Sequence, residues 1–360
     1  MGPSGATTIS TAGRRRSTEA RPRSSATSLP NAYWACPVEV GDSMDDDDIS
    51  QIREALLQTV DADPAAAREA VTEFGWDELL ADQEDIAVAT LLPIWGRSLA
   101  HGSLLTPVML CAGGVDSPTT TRIVLPRISS SVVPGRYDGE RVVVDGVLSA
   151  GDGPILVPAA SDGDIVFAVC ETPELPTGDP LDPTAGWTRL TGTFTVTEQL
   201  SPSGHTPSQA WPLMVAAGRR ALTYELLGAS RAMLDMTVEH VTSRQQFGQA
   251  LGSFQAVKHQ LADVHLWIEV AQLAADAAWE DRGEASAALA KAAGTRASAT
   301  ARKVCQQLLG GMGFTWEHDF HRYLRRALTL EPLLGGSVDL HRELGAALRV
   351  GSVSPALAPL

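Results

Sequence analysis

The stretch Ser243-Arg244-Gln245-Gln246-Phe247-Gly248-Gln249-Ala250-Leu251-Gly252-Ser253-Phe254-Gln255 separates two long segments whose apolar residues recur at steps of three and four. That spacing is typical of one face of a helix. The first series is Leu222, Leu226, Ala229, Met233 and Met236, and the second is Val257, Leu261, Val264, Ile268, Ala271 and Ala275. Glycines at 248 and 252 interrupt the pattern, so we predict that two helices meet at an exposed loop.

This loop carries a guanidinium and an aromatic ring three residues apart, on Arg244 and Phe247. The pair suits a ligand that has both phosphates and a ring, because arginine binds phosphate oxygens and phenylalanine offers an apolar face. The same residues could instead be structural, with Arg244 capping a helix end and Phe247 filling a crevice. Local chemistry leaves both interpretations open.

Two motifs, in this order along the chain, resemble the C-terminal domain of the acyl-CoA dehydrogenases. The first is Arg-x-x-Phe-Gly at 244–248, with Phe-Gln and Leu-Ala-Asp following at 254–255 and 261–263. The second is Gln-Leu-Leu-Gly-Gly-Met-Gly-Phe-Thr at 307–315, with arginines following at 322, 325 and 326. The resemblance covers residues 211–336 and is fainter towards the N-terminus. It implies an α+β multidomain fold, in which an N-terminal helical domain, a small β-barrel and a C-terminal four-helix bundle follow one another.

The composition of the 360-residue chain favours a globular protein of two or three domains. The net charge of −15 argues against a general nucleic-acid binder and against binding to an anionic membrane surface. No stretch approaches the roughly 20 apolar residues that span a bilayer. No apolar segment follows the arginines at 14–16, as a secretory signal would require, so we expect a cytoplasmic protein. The four cysteines lack metal-ligand spacing, so we expect no metal site and reduced, buried thiols.

The period of the hydrophobic pattern divides the chain into four parts. Residues 1–45 are rich in Ser, Thr, Pro, Ala and Arg without periodicity, which predicts a disordered tail. Residues 46–118 should form a short helical domain, 119–204 a middle β domain and 205–350 the helical bundle. We predict helices at 48–60, 64–79, 84–97, 209–243, 254–281, 285–309, 318–329 and 336–348. Short β-branched runs predict strands at 122–126, 141–145, 154–157, 164–169 and 192–196.

The resemblance further implies a FAD that lies across the boundary between two subunits. One subunit's Arg-x-x-Phe and Gln-x-x-Gly-Gly would hold the ADP part, and here these residues are Arg244, Phe247, Gln307 and Gly311. The other subunit's Thr-Glu-Pro-containing loop and Trp-x-Thr pair would hold the flavin ring. In this chain residues 110–118 and 146–151 occupy those places and have neither motif. We therefore predict that the chain supplies the ADP half of a site and lacks the ring half.

Members of this family need a glutamate near the substrate, because a carboxylate removes the α-proton of the acyl-CoA thioester. Two lineages place it differently, and the two registers fall on Gly218 and on Leu334 here. Neither has a carboxylate, so we predict no catalytic residue. Glu331 is an alternative, displaced base, although a solvent-facing residue before Pro332 is the favoured interpretation. Arg219 is predicted to bind the substrate.

These features together predict a subunit of a FAD-dependent acyl-CoA dehydrogenase. The chain would complete the ADP half-site of a homologous, catalytic partner in an α2β2 heterotetramer with two FAD molecules. Its short N-terminal domain would leave room for a bulky acyl-CoA substrate, such as one with a steroid side chain, as in some actinobacterial members. Two alternatives stay open: an active homotetramer that uses Glu331, and a flavin-free scaffold with the same fold.

Overall fold

The structure is a computed structural model that describes residues 45–130, 132–172, 179–351 and 353. Its first part consists of helices. They are α1 (Asp46–Ala62), α2 (Ala67–Glu73), α3 (Trp76–Asp82), α4 (Glu84–Ser98) and α5 (Leu105–Ala112). The Asp45 carboxylate caps α1 by accepting a 2.8 Å hydrogen bond from the Asp48 amide. Apart from Asp45, the predicted disordered tail at 1–45 lies outside the described residues.

Two details of these helices differ from the prediction. The helix predicted at 64–79 is two helices, because Gly75 between α2 and α3 has a φ of +93°, which ends a helix. Helix α5 is absent from the prediction and covers the beginning of the stretch at 110–118. Most of its residues are apolar and buried, so it lacks the amphipathic period by which a helix is recognised.

A small closed barrel follows the helices. Its strands are β1 (Arg122–Ile123), β2 (Leu125–Pro126), β3 (Gly135–Tyr137), β4 (Arg141–Leu148), β5 (Ile155–Ser161), β6 (Asp164–Cys170) and β7 (Thr188–Leu200). Strands β5, β3, β4, β7 and β6 pair in that order, and β6 pairs with β5 to close the ring. Along β4, Val142 and Val144 are buried while Arg141 and Val143 are exposed, which is the alternation of a barrel strand. All five predicted runs lie in strands.

The C-terminal part is a helical bundle. Its helices are α6 (Pro207–Ser243), α7 (Gln255–Asp281), α8 (Glu284–Leu309), α9 (Phe320–Leu330) and α10 (Ser337–Val350), within two residues of the predicted bounds. A capping box begins α6, in which the side chains of Thr206 and Gln209 each accept a hydrogen bond from the other residue's amide. Short connections make α7 antiparallel to both α6 and α8, so α6 and α8 end at the same end of the bundle. The predicted fold class is confirmed.

Helix α4 crosses α6 with almost no side chains between the two backbones. A Cβ atom on Gly96 would lie 2.0 Å from the Glu225 carbonyl oxygen, and one on Gly228 would lie 1.9 Å from the Pro93 carbonyl oxygen. Only glycine permits such an approach. The crossing holds the N-terminal helices directly against the bundle.

A buried arginine, Arg326 of α9, joins the three parts of the structure. Its guanidinium pairs with Glu225 of α6 at 2.8 Å and with Asp182, and it donates to the carbonyl of Ala100 and the hydroxyl of Thr184. Burial raises the pKa of Glu225 more than Arg326 lowers it. Burial would also raise the pKa of Asp182, but Arg326 and Thr184 together lower it. Arg326 therefore supplies the positive charge that compensates the burial of both Glu225 and Asp182.

The described residues from Asp45 onwards belong to one compact unit, so the predicted domain limits at 118/119 and 204/205 stay predictions. Within the described ranges, no helix is long and apolar enough to cross a membrane. Cys170 and Cys305 are buried as predicted, whereas Cys111 is exposed, and its thiol donates to the Leu80 carbonyl at 3.4 Å. Cys36 lies outside the described residues.

Candidate functional site

The Arg244–Phe247 segment forms a tight hairpin between α6 and α7. Strands β8 (Gln245–Gln246) and β9 (Gln249–Ala250) pair across a two-residue turn. Phe247 and Gly248 have φ values of +54° and +78°, as in a type I′ turn. Such a φ is strained for a bulky residue and costs on the order of 1 kcal/mol or more. Phe247 is nevertheless 90% exposed, and the ring contact found for it is an edge-to-face contact with Phe254, with the ring centroids 6.2 Å apart.

Arg244 lies at the base of this hairpin, directly after α6. Its amide donates a 2.8 Å hydrogen bond to the His240 carbonyl, which ends the helix, whereas its exposed guanidinium has no hydrogen-bond or ion-pair partner among the described residues. Burial lowers the pKa of the His240 imidazole, and the neighbouring Arg244 and His318 lower it further. The end of α6 thus carries the unpaired cation of Arg244 on a chain whose net charge is −15.

Gln307 and Gly311 lie at the same end of the bundle, where α8 gives way to a 3-10 turn at Gly310–Phe314. Both residues are exposed, and a Cβ atom on Gly311 would have nothing within 4 Å, so the backbone there is open to a ligand. Phe314 and Trp316, which follow, are each 74% exposed. All four predicted cofactor residues thus lie on exposed segments at one end of the bundle.

The two registers predicted for the base converge in the interior. A Cβ atom on Gly218 of α6 would lie 2.5 Å from Cδ1 of Leu334 and 3.1 Å from Sδ of Met109. Leu334 is 1% exposed and Met109 is fully buried, so the position is filled by apolar side chains. The place where either lineage would hold a carboxylate is packed.

Glu331 lies in an ion pair and does not face solvent, so the favoured interpretation of this residue is wrong. Its carboxylate accepts bidentate hydrogen bonds of 2.8 and 2.7 Å from Arg302 and one of 2.7 Å from the Ser298 hydroxyl. Local sequence showed an acid before a proline and gave no sign of Arg302, which lies on another helix. A free carboxylate is the form that a general base needs.

Lys291 of α8 is buried directly beneath this segment. Its ammonium donates to the carbonyl of Glu331 at 2.8 Å and to the hydroxyl of Thr295 at 3.2 Å. Burial lowers the pKa of Lys291 to about 7; Glu331 opposes this shift and Arg219 adds to it. Lys291 therefore holds the end of α9 in place, immediately before Leu334.

Arg219, predicted to bind the substrate, is 2% exposed and is engaged within the chain. Its guanidinium donates two hydrogen bonds of 2.8 Å to Glu343 of α10 and one of 3.0 Å to the carbonyl of Leu334. These contacts fix the backbone of Leu334, which has a φ of +55°. The substrate assignment of Arg219 stays a prediction.

The stretches at the place of the flavin-ring motifs are packed against the chain itself. A Cβ atom on Gly113 would lie 2.6 Å from Cγ of Met214, and Gly114 accepts a 2.7 Å hydrogen bond from the amide of Ser203. In β4, a Cβ atom on Gly146 would lie 2.5 Å from the carbonyl oxygen of Leu125. Neither stretch contains a tryptophan, and the hydroxyl side chain of each is engaged or buried: Ser117 donates to the Thr121 hydroxyl at 2.8 Å, and Ser149 is buried.

A cleft of about 410 Å³ lies between α1, α4, α6 and α9. Its lining includes Asp61, Asp235, Glu239 and one cation, Arg97, which pairs with Asp235 at 2.7 Å. The nearest lining residue of α6, Ala232, is 14 positions after Gly218, roughly 21 Å along the helix. The cleft is acidic and remote from the base position, so it does not suit an acyl-CoA thioester.

Comparisons with known proteins identify the family. The family model for the acyl-CoA dehydrogenase C-terminal domain matches residues 213–348. IpdE2, an acyl-CoA dehydrogenase of Mycobacterium tuberculosis, is 29% identical over 308 residues, which are 81% of this chain and 93% of IpdE2. The chain belongs to the acyl-CoA dehydrogenase family. FadE34, another acyl-CoA dehydrogenase of M. tuberculosis, is 33% identical over 275 residues, which are 74% of this chain and 35% of FadE34.

Solved acyl-CoA dehydrogenases have the same fold. A variant of the Tcur3481–Tcur3483 steroid ACAD is 22% identical with a TM-score of 0.65, over 86% of this chain and 99% of that chain. The ChsE4–ChsE5 complex from M. tuberculosis is 20% identical with a TM-score of 0.64, over 86% of this chain and 98% of that chain. The family consists of oxidoreductases that act on acyl-CoA, and their cofactor is FAD.

The residues of this acyl-CoA dehydrogenase fit one part of FAD and not the other. At the exposed end of the bundle, a free guanidinium, an amide side chain and an open glycine backbone suit a pyrophosphate. The packed stretches at 113–114 and 146 do not suit a flavin ring. Sequence reasoning missed Met109 and Glu343, which fill or brace the base position from α5 and α10. No local pattern indicates such long-range contacts.

Proposed function

We propose that this chain is the subunit of a heteromeric acyl-CoA dehydrogenase that completes the ADP half-site of its partner's FAD and has no catalytic base of its own. One contrast carries the proposal. The predicted ADP contacts are exposed and unpaired, with Phe247 held outwards in a strained turn, whereas the base position at Gly218 is filled by Leu334 and Met109.

The exposed half would act by binding and orientation. Arg244 would donate to pyrophosphate oxygens, and a charge-assisted contact of this kind contributes roughly 1.5–3 kcal/mol when partly desolvated. Phe247 would cover the adenosine part, and the amide of Gln307 would donate beside the open backbone of Gly311. When bound, FAD supplies a hydride acceptor for the oxidation. In this arrangement the flavin ring faces the partner, which must provide the base and the ring contacts.

The packing around Glu331 argues against the first alternative, an active homotetramer. Glu331 would have to leave Arg302 and Ser298 to reach a substrate, and Arg302 would lose a bidentate partner while half-buried. Leu334 and Met109 would also have to vacate the position next to Gly218. In a flavin-free scaffold, a bulky, exposed residue at the strained turn position 247 and the unpaired Arg244 would have no binding role.

The partner in this proposal is a homologous acyl-CoA dehydrogenase subunit in an α2β2 complex with two flavins, and the substrate is a bulky acyl-CoA. Support comes from two structures with the same fold, the Tcur3481–Tcur3483 steroid ACAD and the ChsE4–ChsE5 complex, each of which is named for two different chains. Three of the five helices before the barrel have eight residues or fewer, which agrees with space for a wide acyl group. A cytoplasmic location is part of the same proposal.

Co-expression with a candidate homologous subunit tests this function. Native mass spectrometry should show an α2β2 complex with two FAD molecules, and the chain expressed alone should be colourless. A yellow homotetramer of this chain, or four flavins per complex, would contradict the shared site. A colourless complex with every homologous subunit offered would favour the scaffold.

A further inference from the structure

The Arg326 cluster consists of Arg326 and the three side chains that it contacts, which are Glu225, Asp182 and Thr184. These residues come from α6, from α9 and from the segment before β7. The cluster holds one cation and two carboxyl groups, and all three charged side chains are at most 4% exposed. If both acids are ionised, one negative charge is left over away from water, which is unfavourable.

The two carboxyl groups are unequally supplied with hydrogen-bond donors. Asp182 accepts from the Thr184 amide at 3.0 Å and from the Thr184 hydroxyl at 2.6 Å, in addition to Nε of Arg326. Glu225 accepts one hydrogen bond of 2.8 Å at Oε1, from Nη1 of Arg326, and its buried Oε2 has no hydrogen-bond partner in the part of the chain that the structure describes. Donors favour the charged form of a carboxyl group, and burial favours the neutral form. A proton on Glu225 is therefore the easiest way to remove the excess charge.

The directions of the two pKa shifts agree with this geometry. Burial raises the pKa of Glu225, Arg326 lowers it and Asp182 raises it again, and the net shift is upwards. For Asp182, burial is outweighed by Arg326 and Thr184, and the pKa is lowered. Among the described residues, Arg326 and Asp182 are the charged groups that act on Glu225. A proton that enters the cluster thus binds to Glu225 and not to Asp182.

Glu225 lies where α6 meets the other parts of the chain. The backbone of α4 crosses α6 at this residue, since a Cβ atom on Gly96 would lie 2.0 Å from the Glu225 carbonyl oxygen. The carbonyl of Ala100, just after α4, accepts a 2.8 Å hydrogen bond from Nη2 of Arg326. An uncompensated charge on Glu225 therefore acts on the junction that joins α4, α9 and the segment before β7 to α6.

We propose that Glu225 is a pH-sensitive switch in the Arg326 cluster. With a proton on Glu225 the cluster is neutral and the junction is closed, and without it the junction carries one negative charge and is weakened. Because the pKa of Glu225 is raised in the folded chain, its stabilising contribution is complete below the ordinary value of 4.5 and is lost as the pH rises through the folded-state pKa. The switch needs neither a partner subunit nor FAD, so it is independent of the proposed function.

Urea unfolding of the full chain, followed by tryptophan fluorescence between about pH 4.5 and 8, tests the switch. Glu225→Gln is the test variant, because its neutral amide replaces the protonated acid at every pH. Glu239→Gln, which changes an exposed glutamate of the same helix, is the control.

The unfolding equilibrium constant of the wild type, divided by that of Glu225→Gln, should rise by up to about tenfold per pH unit and level off above the folded-state pKa. The same ratio for Glu239→Gln should stay constant. A Glu225→Gln ratio that is constant within about twofold, or an equal rise for both variants, would overturn the proposal.

Asp182→Asn is a second variant, which leaves Glu225 in place. Arg326 then serves Glu225 alone, so the folded-state pKa of Glu225 should be lower and less stability should be lost as the pH rises. The unfolding constant of the wild type relative to Asp182→Asn should therefore also rise with pH. A constant or falling ratio would contradict the switch, even if Glu225→Gln did not fold.

Hydrogen exchange measured by mass spectrometry locates the effect. The wild type and Glu225→Gln are compared at the same pH, so that the intrinsic exchange rates cancel. As the pH rises, peptides from the end of α4, from the segment before β7 and from α9 should exchange faster in the wild type than in the variant, whereas peptides from α7 should not differ. Equal exchange in all peptides, or faster exchange throughout the bundle, would refute a switch at this junction.

Discussion

Replacing Lys291 by methionine should change how the stability of the protein depends on pH. The Lys291 ammonium is fully buried, and its hydrogen bonds run to neutral acceptors, the Thr295 hydroxyl and the carbonyls of Leu330 and Glu331. Burial lowers its pKa to about 7 from an ordinary 10.5. Between these values the unfolded chain binds a proton that the folded chain does not. The free energy of unfolding therefore rises with pH across this window.

The size of the effect follows from the pKa shift. One pKa unit corresponds to about 1.4 kcal/mol, so the buried cation costs about 5 kcal/mol below pH 7. Methionine has a similar length and no charge, and the loss of the Lys291 hydrogen bonds is the same at every pH. The stability of the wild type relative to Lys291→Met should therefore increase by about 1.4 kcal/mol per pH unit from about pH 7.5 to 9.5.

Urea unfolding followed by far-UV circular dichroism measures this difference at about one-unit pH intervals. Lys303→Met is the matched control, since Lys303 lies on the same helix and is exposed. Its stability curve should run parallel to that of the wild type. A Lys291→Met difference that stays constant within about 0.5 kcal/mol over the range would refute the reasoning, because Lys291 would then bind protons equally in both states.

Three other outcomes follow from the structure. Arg244→Ala should lower the 450 nm absorbance per complex after gel filtration without changing the oligomer. Arg136→Ala, on the exposed side of β3, should leave this absorbance unchanged. If the Arg244→Ala complex contains as much flavin as the wild type, Arg244 does not belong to the site. The chain alone should not reduce a dye with any acyl-CoA tested, and turnover that disappears in Glu331→Gln would support the displaced base. Arg326→Met should destabilise the protein by about 3–5 kcal/mol in urea, because two buried carboxylates lose their cation; a loss under 1 kcal/mol would contradict this.

The bundle could be predicted closely because its helices carry their own signals. Thr206, Pro207 and Gln209 mark the start of α6, and the hairpin glycine marks its end. Helix α5 carries no such signal, since a segment buried on all sides has no polar face to set a period. The prediction of one helix at 64–79 was wrong because Gly75 is tolerated inside a helical pattern and yet here adopts a left-handed φ.

The candidate site likewise has one part that the sequence predicts and one part that only the packing of distant segments reveals. Arg244, Phe247, Gln307 and Gly311 lie in contiguous motifs, so their exposure at one end of the bundle was within reach of the sequence. The filling of the base position was not, because Met109, Gly218 and Leu334 meet from three distant segments. The ion pair of Glu331 with Arg302 spans 29 residues, and only the packing of α8 against the end of α9 creates it.

The Arg326 cluster also has a consequence for synthesis on the ribosome. Arg326 is made 144 residues after Asp182 and 101 residues after Glu225. At 5–20 residues per second, Asp182 waits about 7–29 s for its counterion. During that time Asp182 and Glu225 lack the cation that neutralises them, so burying both as carboxylates is unfavourable. We therefore expect the final packing around this cluster to follow the synthesis of α9.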